Sequence, residues 1–216
     1  LIKNHQPRGV GIQHLIRADI IKGILPLGAR LQIDDLAARY DVSHMPVREA
    51  LRELRGEGLV VMEPNRGARV RDLTPAFVEN VFDVRSALET MMAMRAAERR
   101  PPGTGRILMA LQIEFENAVA SDDGKDVLDA NRAFHDAVYR AADNPEAFDF
   151  FKRHWMLVAM LFDRFGYDAA RMVQEVPEHR SIIHAIEHGD GLTAAALIAS
   201  QIRNAKRDIL SRMPKA

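Results

Sequence analysis

Polar side chains recur inside apolar helical stripes in the second half of this sequence, and arginines line one helix face in the first half. Asn131 and His135 share an i, i+4 stripe with Leu128, Val138 and Ala142. His179 precedes Ile182, Ile183 and Ile186 on another stripe. Gln201 continues the row of Ala194, Leu197, Ile198 and Ala205. Arg85 lies on the face defined by Val78, Phe82, Leu88 and Met92, with Glu89 at i+4 offering an internal salt bridge. Buried polar groups cost free energy unless they find partners, and each of these alone reads as a satisfied structural group. Five of them on four helices, if they converge, make a polar pocket of the kind in which helical bundles hold small ligands and metals. Arg85, Asn131, His135, His179 and Gln201 are therefore the candidate ligand-binding residues.

The arginine face belongs to Ser43-His44-Met45-Pro46-Val47-Arg48-Glu49-Ala50-Leu51 and its continuation. Ser43 stands at an N-cap position, and Pro46 falls in the first turn, where a helix tolerates proline. Val47, Ala50, Leu51 and Leu54 recur at core-facing spacing, whereas Arg48, Arg52 and Arg55 recur on another face. Such a helix can lie in a major groove, with N-terminal side chains at base edges and arginines on phosphates. A solvated charged face reads the same way in isolation.

The surrounding elements decide between these readings. Residues 11–25 carry Ile12, Leu15, Ile16, Ile20 and Ile24, an amphipathic helix closed by Pro26 and Gly28. Residues 33–40 predict a short helix with Asp34 and Asp35 in its first turn and Leu36, Ala37 and Tyr40 inward. It joins the next helix through Asp41-Val42, short enough for a helix-turn-helix. Residues 59–63 and 68–71 predict two strands around the turn Pro64-Asn65-Arg66-Gly67, with Arg66 at the tip and Arg69 and Arg71 on the return. Three helices and a hairpin make a winged helix-turn-helix. Ser43, His44, Met45, Val47, Arg48, Arg52 and Arg66 are its candidate DNA contacts.

A boundary is expected at Asp72-Leu73-Thr74-Pro75, where Thr74 can cap a new helix with Pro75 first inside it. Helices are predicted over 75–100, 104–121, 125–142, 145–165, 174–188 and 190–212. The breaks fall at Pro101-Pro102-Gly103, Ser121-Asp122-Asp123-Gly124, Asp143-Asn144-Pro145, 166–173 and Gly189-Asp190. The expected fold is mainly α: a winged helix-turn-helix over 1–73, then an all-α antiparallel bundle over 74–216.

Composition fits this plan. The chain has 216 residues, 47% of them hydrophobic, enough for packed cores. Its formal net charge is zero, but residues 1–75 hold 12 Lys and Arg against 9 Asp and Glu, and the remainder holds 18 against 21. Polyanion binding thus belongs to the N-terminal part, through placed arginines rather than bulk charge. The absence of cysteine excludes disulfides and thiolate metal sites and is compatible with a cytoplasmic location. No apolar run approaches the roughly 18 residues of a membrane span, and no signal peptide is visible. The chain begins at Leu1, so a few residues are expected before it.

The motifs resemble those of a known family. Gly28-Ala29-Arg30-Leu31, Asp35-Leu36-Ala37, Val42-Ser43, Pro46-Val47-Arg48-Glu49-Ala50-Leu51, Glu57-Gly58-Leu59-Val60 and Asn65-Arg66-Gly67 look like the DNA-binding domain of GntR-family transcriptional regulators. That family's usual turn, Ser-Arg-Thr-Pro-Val-Arg, is replaced by Ser43-His44-Met45-Pro46-Val47-Arg48, so a departure from the usual operator is implied. Asp83-Val84-Arg85, Leu88-Glu89, Asn131-Arg132-Ala133-Phe134-His135, Asn144-Pro145, Glu178-His179-Arg180 and Gly189-Asp190 resemble the effector domain of its FadR-like branch, the FCD domain, in the six-helix VanR-like form.

The resemblance implies a homodimeric, ligand-responsive repressor that binds double-stranded operator DNA and a small carboxylate effector. It also implies one divalent ion, zinc, nickel or manganese, held through Asn131, His135 and His179. Many members of the branch use one aspartate and three histidines; by position Asn131 replaces the aspartate and Gln201 the third histidine. Neutral amides are poor ligands for zinc or nickel. The alternative is a metal-free pocket in which Asn131, His135, His179 and Gln201 bond an organic acid directly, with Arg85 as carboxylate clamp. Two further readings stay open: a histidine-based or metal-dependent enzyme within the bundle, although no nucleophile motif supports it, and a bundle that only dimerises. Among the other histidines, His154 beside Trp155 could line the pocket, His184 points elsewhere, and His188 suits a helix C-terminus.

Overall fold

The computed structural model describes residues 11–63, 67–121 and 124–214, apart from the side chains of residues 125, 153, 154 and 156. The hairpin-tip candidate Arg66, the turn residues Pro64 and Asn65, the break residues Asp122 and Asp123 and the side chain of His154 lie outside the described residues. The chain forms two compact units. One is Leu1–Leu73 with Arg153–Arg164, and the other is Thr74–Lys152 with Phe165–Ala216. Residues 153–164, read above as part of the bundle, group with the first unit.

In the first unit the helices α1 (Ile12–Ile21), α2 (Ile33–Tyr40) and α3 (His44–Gly56) alternate with β1 (Arg30–Leu31), β2 (Val60–Glu63) and β3 (Gly67–Val70). Helix α1 stops four residues short of the expected end. Gly23 turns into the left-handed region at φ 72°, and Ile24 falls outside the stripe and is exposed. Asp41 takes the left-handed conformation that ends α2, a geometry Asp tolerates. Helix α3 packs on α1, α2 and β2. Its stripe Val47, Ala50, Leu51 and Leu54 meets Ile16, Ile20, Leu36 and Tyr40 in one buried set. Polar ties fix the helices: Arg17 clamps Glu57 through two bonds, and Tyr40 donates to Asp19 Oδ2 at 2.8 Å.

The sheet is antiparallel in the order β1-β3-β2, with Arg69 opposite Arg30 on one side and Val61 on the other. Strand β1 was not expected, since two residues carry no periodicity. The return strand ends at Val70, so Arg71 lies beyond it, and its Nε donates to the Gly58 carbonyl.

The second unit begins with α4 (Pro75–Arg99), capped as expected by Thr74, whose Oγ1 accepts from the Phe77 N–H at 3.1 Å. It continues through α5 (Thr104–Ser121), α6 (Gly124–Ala141), the start of α7 (Pro145–Phe165), whose residues 153–164 group with the first unit, α8 (Ala169–His188) and α9 (Gly191–Arg212). Helix α4 lies against α9, α6 and α8; α5 packs on α6 and α8; α8 packs on α9. Helix α8 starts five residues earlier than expected. Asp168 accepts from the Ala170 N–H at 2.9 Å and caps the helix, and Pro177 sits inside it. The extra turn adds Met172 to the stripe of Glu175, His179, Ile182, Ile183 and Ile186, all buried.

Candidate functional site

Two sites can be built from these elements. On the first unit, α3 presents His44, Met45, Arg48, Arg52 and Arg55 to solvent. Met45 is 62% exposed, an unusual position for a large apolar side chain. His44 Nε2 lies 3.1 Å from Asp34 on α2. Ser43 occupies the N-cap position, yet its side chain makes no capping hydrogen bond. Val47, counted above among the DNA contacts, is fully buried in the core and cannot reach a base. Its place in the apolar period of α3 outweighs its place near the helix start.

On the second unit, the rings of His135 on α6 and His179 on α8 lie 5.1 Å apart, edge to face. The two helices bring them together through aromatic packing: His179 stacks on Phe134 at 4.0 Å and tilts against Phe115 at 4.8 Å. Asn131, one turn before His135, donates through Nδ2 to Glu175 at 2.9 Å. Glu175 is buried and paired with Arg171, whose Nη1 reaches the backbone carbonyl of Gln201 at 3.4 Å. Residues of α6, α8 and α9 thus join in one network. The side chain of Gln201 is buried, and neither its oxygen nor its nitrogen finds a partner among the described residues. The same holds for Asn131 Oδ1, His179 Nε2 and Arg171 Nε.

Arg85 stands on the far side of His135. Its guanidinium holds Glu89 at 2.6 and 3.3 Å, and Glu89 accepts from the Tyr139 hydroxyl at 2.6 Å. That hydroxyl lies 3.4 Å from His135 Nδ1. Burial, then the charges of Arg85 and Arg171, push His135 down to about 3. Burial, then His135 and Arg171, hold His179 well below the usual histidine range. Burial, then the Glu89 carboxylate, raise Tyr139. Both histidines are neutral at physiological pH, and positive charge on two sides keeps them so.

Arg171, Glu175 and Gln112 were missed from sequence. Gln112 is fully buried and bonds His179 Nδ1 at 2.9 Å. Arg171 falls in residues 166–173, read as a break; the capping Asp168 and the i, i+4 pair with Glu175 were its signal.

By its chemistry the set of Asn131, His135, His179 and Gln201 suits a divalent ion such as zinc, nickel or manganese poorly. No group of three or more His, Asp or Glu side chains with metal-holding geometry occurs among the described residues. Two imidazoles and two amides supply no negative charge. The nearby carboxylates Glu89 and Glu175 are already paired with arginines. A dication beside two guanidiniums meets repulsion without the anionic ligands such sites use.

Residues 9–70 match the family described as "Bacterial regulatory proteins, gntR family", and residues 80–204 match the FCD domain. The chain belongs to the GntR family. Its regulators bind DNA through the winged helix-turn-helix, and the FCD domain is the ligand-binding module joined to it here. One relative is the "Probable D-xylose utilization operon transcriptional repressor" of Paenarthrobacter nicotinovorans, 30% identical over 187 residues, covering 83% of this chain and 78% of that protein. Another is the "Galactonate operon transcriptional repressor" of Escherichia coli K12, 26% identical over 197 residues, covering 80% and 85%. Among solved structures, E. coli McbR/YncC shares the fold with a TM-score of 0.72 at 20% identity, covering 93% of this chain and 95% of that one. No helix among the described residues is long and apolar enough to cross a membrane.

Proposed function

We propose that this GntR regulator is a cytoplasmic, homodimeric repressor whose operator affinity is set by a small organic acid bound within its helical bundle. The effector residues are Arg85, Asn131, His135, His179 and Gln201, joined by Arg171. The operator contacts are Ser43, His44, Met45, Arg48, Arg52 and Arg66. The domains divide as 1–73 and 74–216, and the two-fold symmetry of a dimer suits a palindromic operator.

One observation carries the effector reading. His179 and Gln201 are buried, and Nε2 of His179 and both polar side-chain atoms of Gln201 have no partner among the described residues, while the charges of Arg85 and Arg171 act on the neighbouring His135. Each orphaned group costs about 1–3 kcal/mol, so a bundle serving only dimerisation is more stable with leucine in their place. A carboxylate that bonds guanidinium N–H groups offsets that cost when bound. Two relatives named for operons of sugar and sugar-acid use favour an acid derived from a sugar.

The test selects operator fragments from random duplexes on the purified chain, then titrates them by gel shift with a panel of sugar acids. The expected result is release of DNA by at least one acid, together with a raised melting temperature. An operator affinity and melting temperature indifferent to every acid overturn the reading.

A further inference from the structure

We infer that the bundle site takes a hydroxylated carboxylate directly, without a metal ion, and that Gln112 is the positioning residue that makes His179 accept a hydrogen bond from the ligand's hydroxyl. This rests on the acid-binding reading and adds to it the class of acid and the way it is recognised.

The argument runs through hydrogen-bond polarity. The amide nitrogen of Gln112 faces two groups that only accept, the Val176 carbonyl at 3.1 Å and the Glu116 carboxylate at 2.7 Å. Arg180 bonds both oxygens of Glu116, at 2.8 and 2.9 Å, and these bonds with that from Gln112 hold the carboxyl below its ordinary range, hence ionised. The amide therefore cannot flip, and its Oε1 is the atom 2.9 Å from His179 Nδ1. An amide oxygen only accepts, so Nδ1 carries the hydrogen. A neutral imidazole has one such hydrogen. Nε2 is thus a bare lone pair, buried and without a partner among the described residues.

His135 follows the same logic more weakly. The Tyr139 hydroxyl spends its hydrogen on Glu89, so at 3.4 Å it can only accept from His135 Nδ1. Two imidazoles whose rings lie 5.1 Å apart therefore each carry the lone pair on Nε2, and that of His179 has no partner among the described residues. Arg171, whose charge acts on both histidines, keeps an Nε–H without a partner among the described residues. A ligand that fits must bring a hydrogen to an imidazole and an anion to a guanidinium. A hydroxy-carboxylate does both. A plain carboxylate leaves Nε2 unpaired, and a metal ion meets the two arginines. The site accordingly discriminates by hydroxyl, as sites built to bond a hydroxyl do when the analogue lacks it.

The test is calorimetric titration of the full chain in EDTA with D-galactonate and D-gluconate, and with hexanoate as their deoxygenated counterpart. Hexanoate should bind at least about tenfold more weakly. His179→Phe keeps an aromatic ring against Phe115 and Phe134 and should bring that ratio close to one. Equal binding of hexanoate to the wild type overturns hydroxyl recognition while leaving an acid pocket. Binding that appears only after zinc is added overturns the metal-free site. Binding of neither series refutes the acid pocket itself. The tautomer is tested without ligand by 15N chemical shifts of His179. A protonated Nδ1 with a pyridine-like Nε2 is expected, and Gln112→Leu should abolish that pattern. The opposite tautomer in the wild type overturns the role of Gln112 whatever the acids do.

Discussion

Acidification from pH 7.5 to 5.5 should cost this protein stability through His135 and His179, and the size of the loss follows from their burial. In the unfolded chain a histidine titrates near 6.5. In the folded bundle His135 titrates at about 3, and His179 is held well below 6.5. Between these limits the unfolded state binds more protons than the folded one. The stability contributed by the neutral rings is therefore full above pH 6.5 and falls as pH drops below it; for His135 it goes on falling toward pH 3. From pH 7.5 to 5.5 each histidine should account for about 1.4 kcal/mol, and the pair for about 2.7 kcal/mol. The assay is urea unfolding followed by far-ultraviolet circular dichroism, for the wild type and for His179→Phe, at both pH values. The substitution changes absolute stability by an unknown amount, but that amount cancels in the pH difference. The variant's loss should be smaller than the wild type's by about 1.4 kcal/mol. A shortfall under about 0.5 kcal/mol, or a His179 ring signal that titrates near 6.5 in the folded protein, refutes the claim that the ring stays neutral.

Arg48→Ala should lower DNA affinity across sequences and flatten the salt dependence by about one unit in gel-shift titrations. Val47→Ala should instead cost roughly 1.5 kcal/mol or more of stability in urea unfolding, with an unchanged salt slope, because Val47 packs in the core. His44→Arg with Met45→Thr should move operator preference in a binding-site selection, and an unaltered profile would show that neither side chain reads bases. Arg85→Ala should weaken acid binding in calorimetry more than Arg132→Ala, since Arg132 is about 41% exposed beside Asp136 while Arg85 stands by His135. Asn131→Asp with Gln201→His should raise zinc affinity if the four positions surround one point, measured by equilibrium dialysis.

The winged helix-turn-helix was legible because each of its signals is local. The stripe Leu36, Ala37 and Tyr40 and the stripe Val47, Ala50, Leu51 and Leu54 are written at helical spacing, and all seven are buried. The same stripe already argued that Val47 faces the core, and its inclusion among the DNA contacts set position along the helix above its phase. The meeting of His135 and His179 was also legible, since polar residues on apolar stripes of packed helices have few other places to go. Arg171 and Gln112 were not. Gln112 lies between Leu108 and Phe115 on a mostly apolar helix, and only the approach of α8 gives it Val176 and His179 as partners. Arg171 was hidden by Gly166, which opened a break read over residues 166–173. The structure absorbs Pro177 inside α8, with its carbonyl still accepting from the Ser181 hydroxyl at 3.0 Å.

In the proposed site, two arginines take the place that a metal's charge would have. Each guanidinium is tied to a glutamate four residues on, Arg85 to Glu89 on α4 and Arg171 to Glu175 on α8. The pairs cancel the net charge that would otherwise penalise burial, and Arg171 keeps an Nε–H without a partner among the described residues. An acid bonded to both arginines links α4 to α8. Helix α4 is also the segment that continues the chain from the DNA-binding domain at Thr74. An acid that prefers one spacing of α4 and α8 therefore biases the position of α4, and one that is indifferent to the spacing does nothing, however tightly it binds. Couplings of this sort typically amount to about 1–3 kcal/mol, or roughly 5- to 150-fold in affinity. That range is enough to empty an operator when the repressor is present near its dissociation constant. The switch then needs no change of fold, only a difference in contacts between two guanidiniums on neighbouring helices.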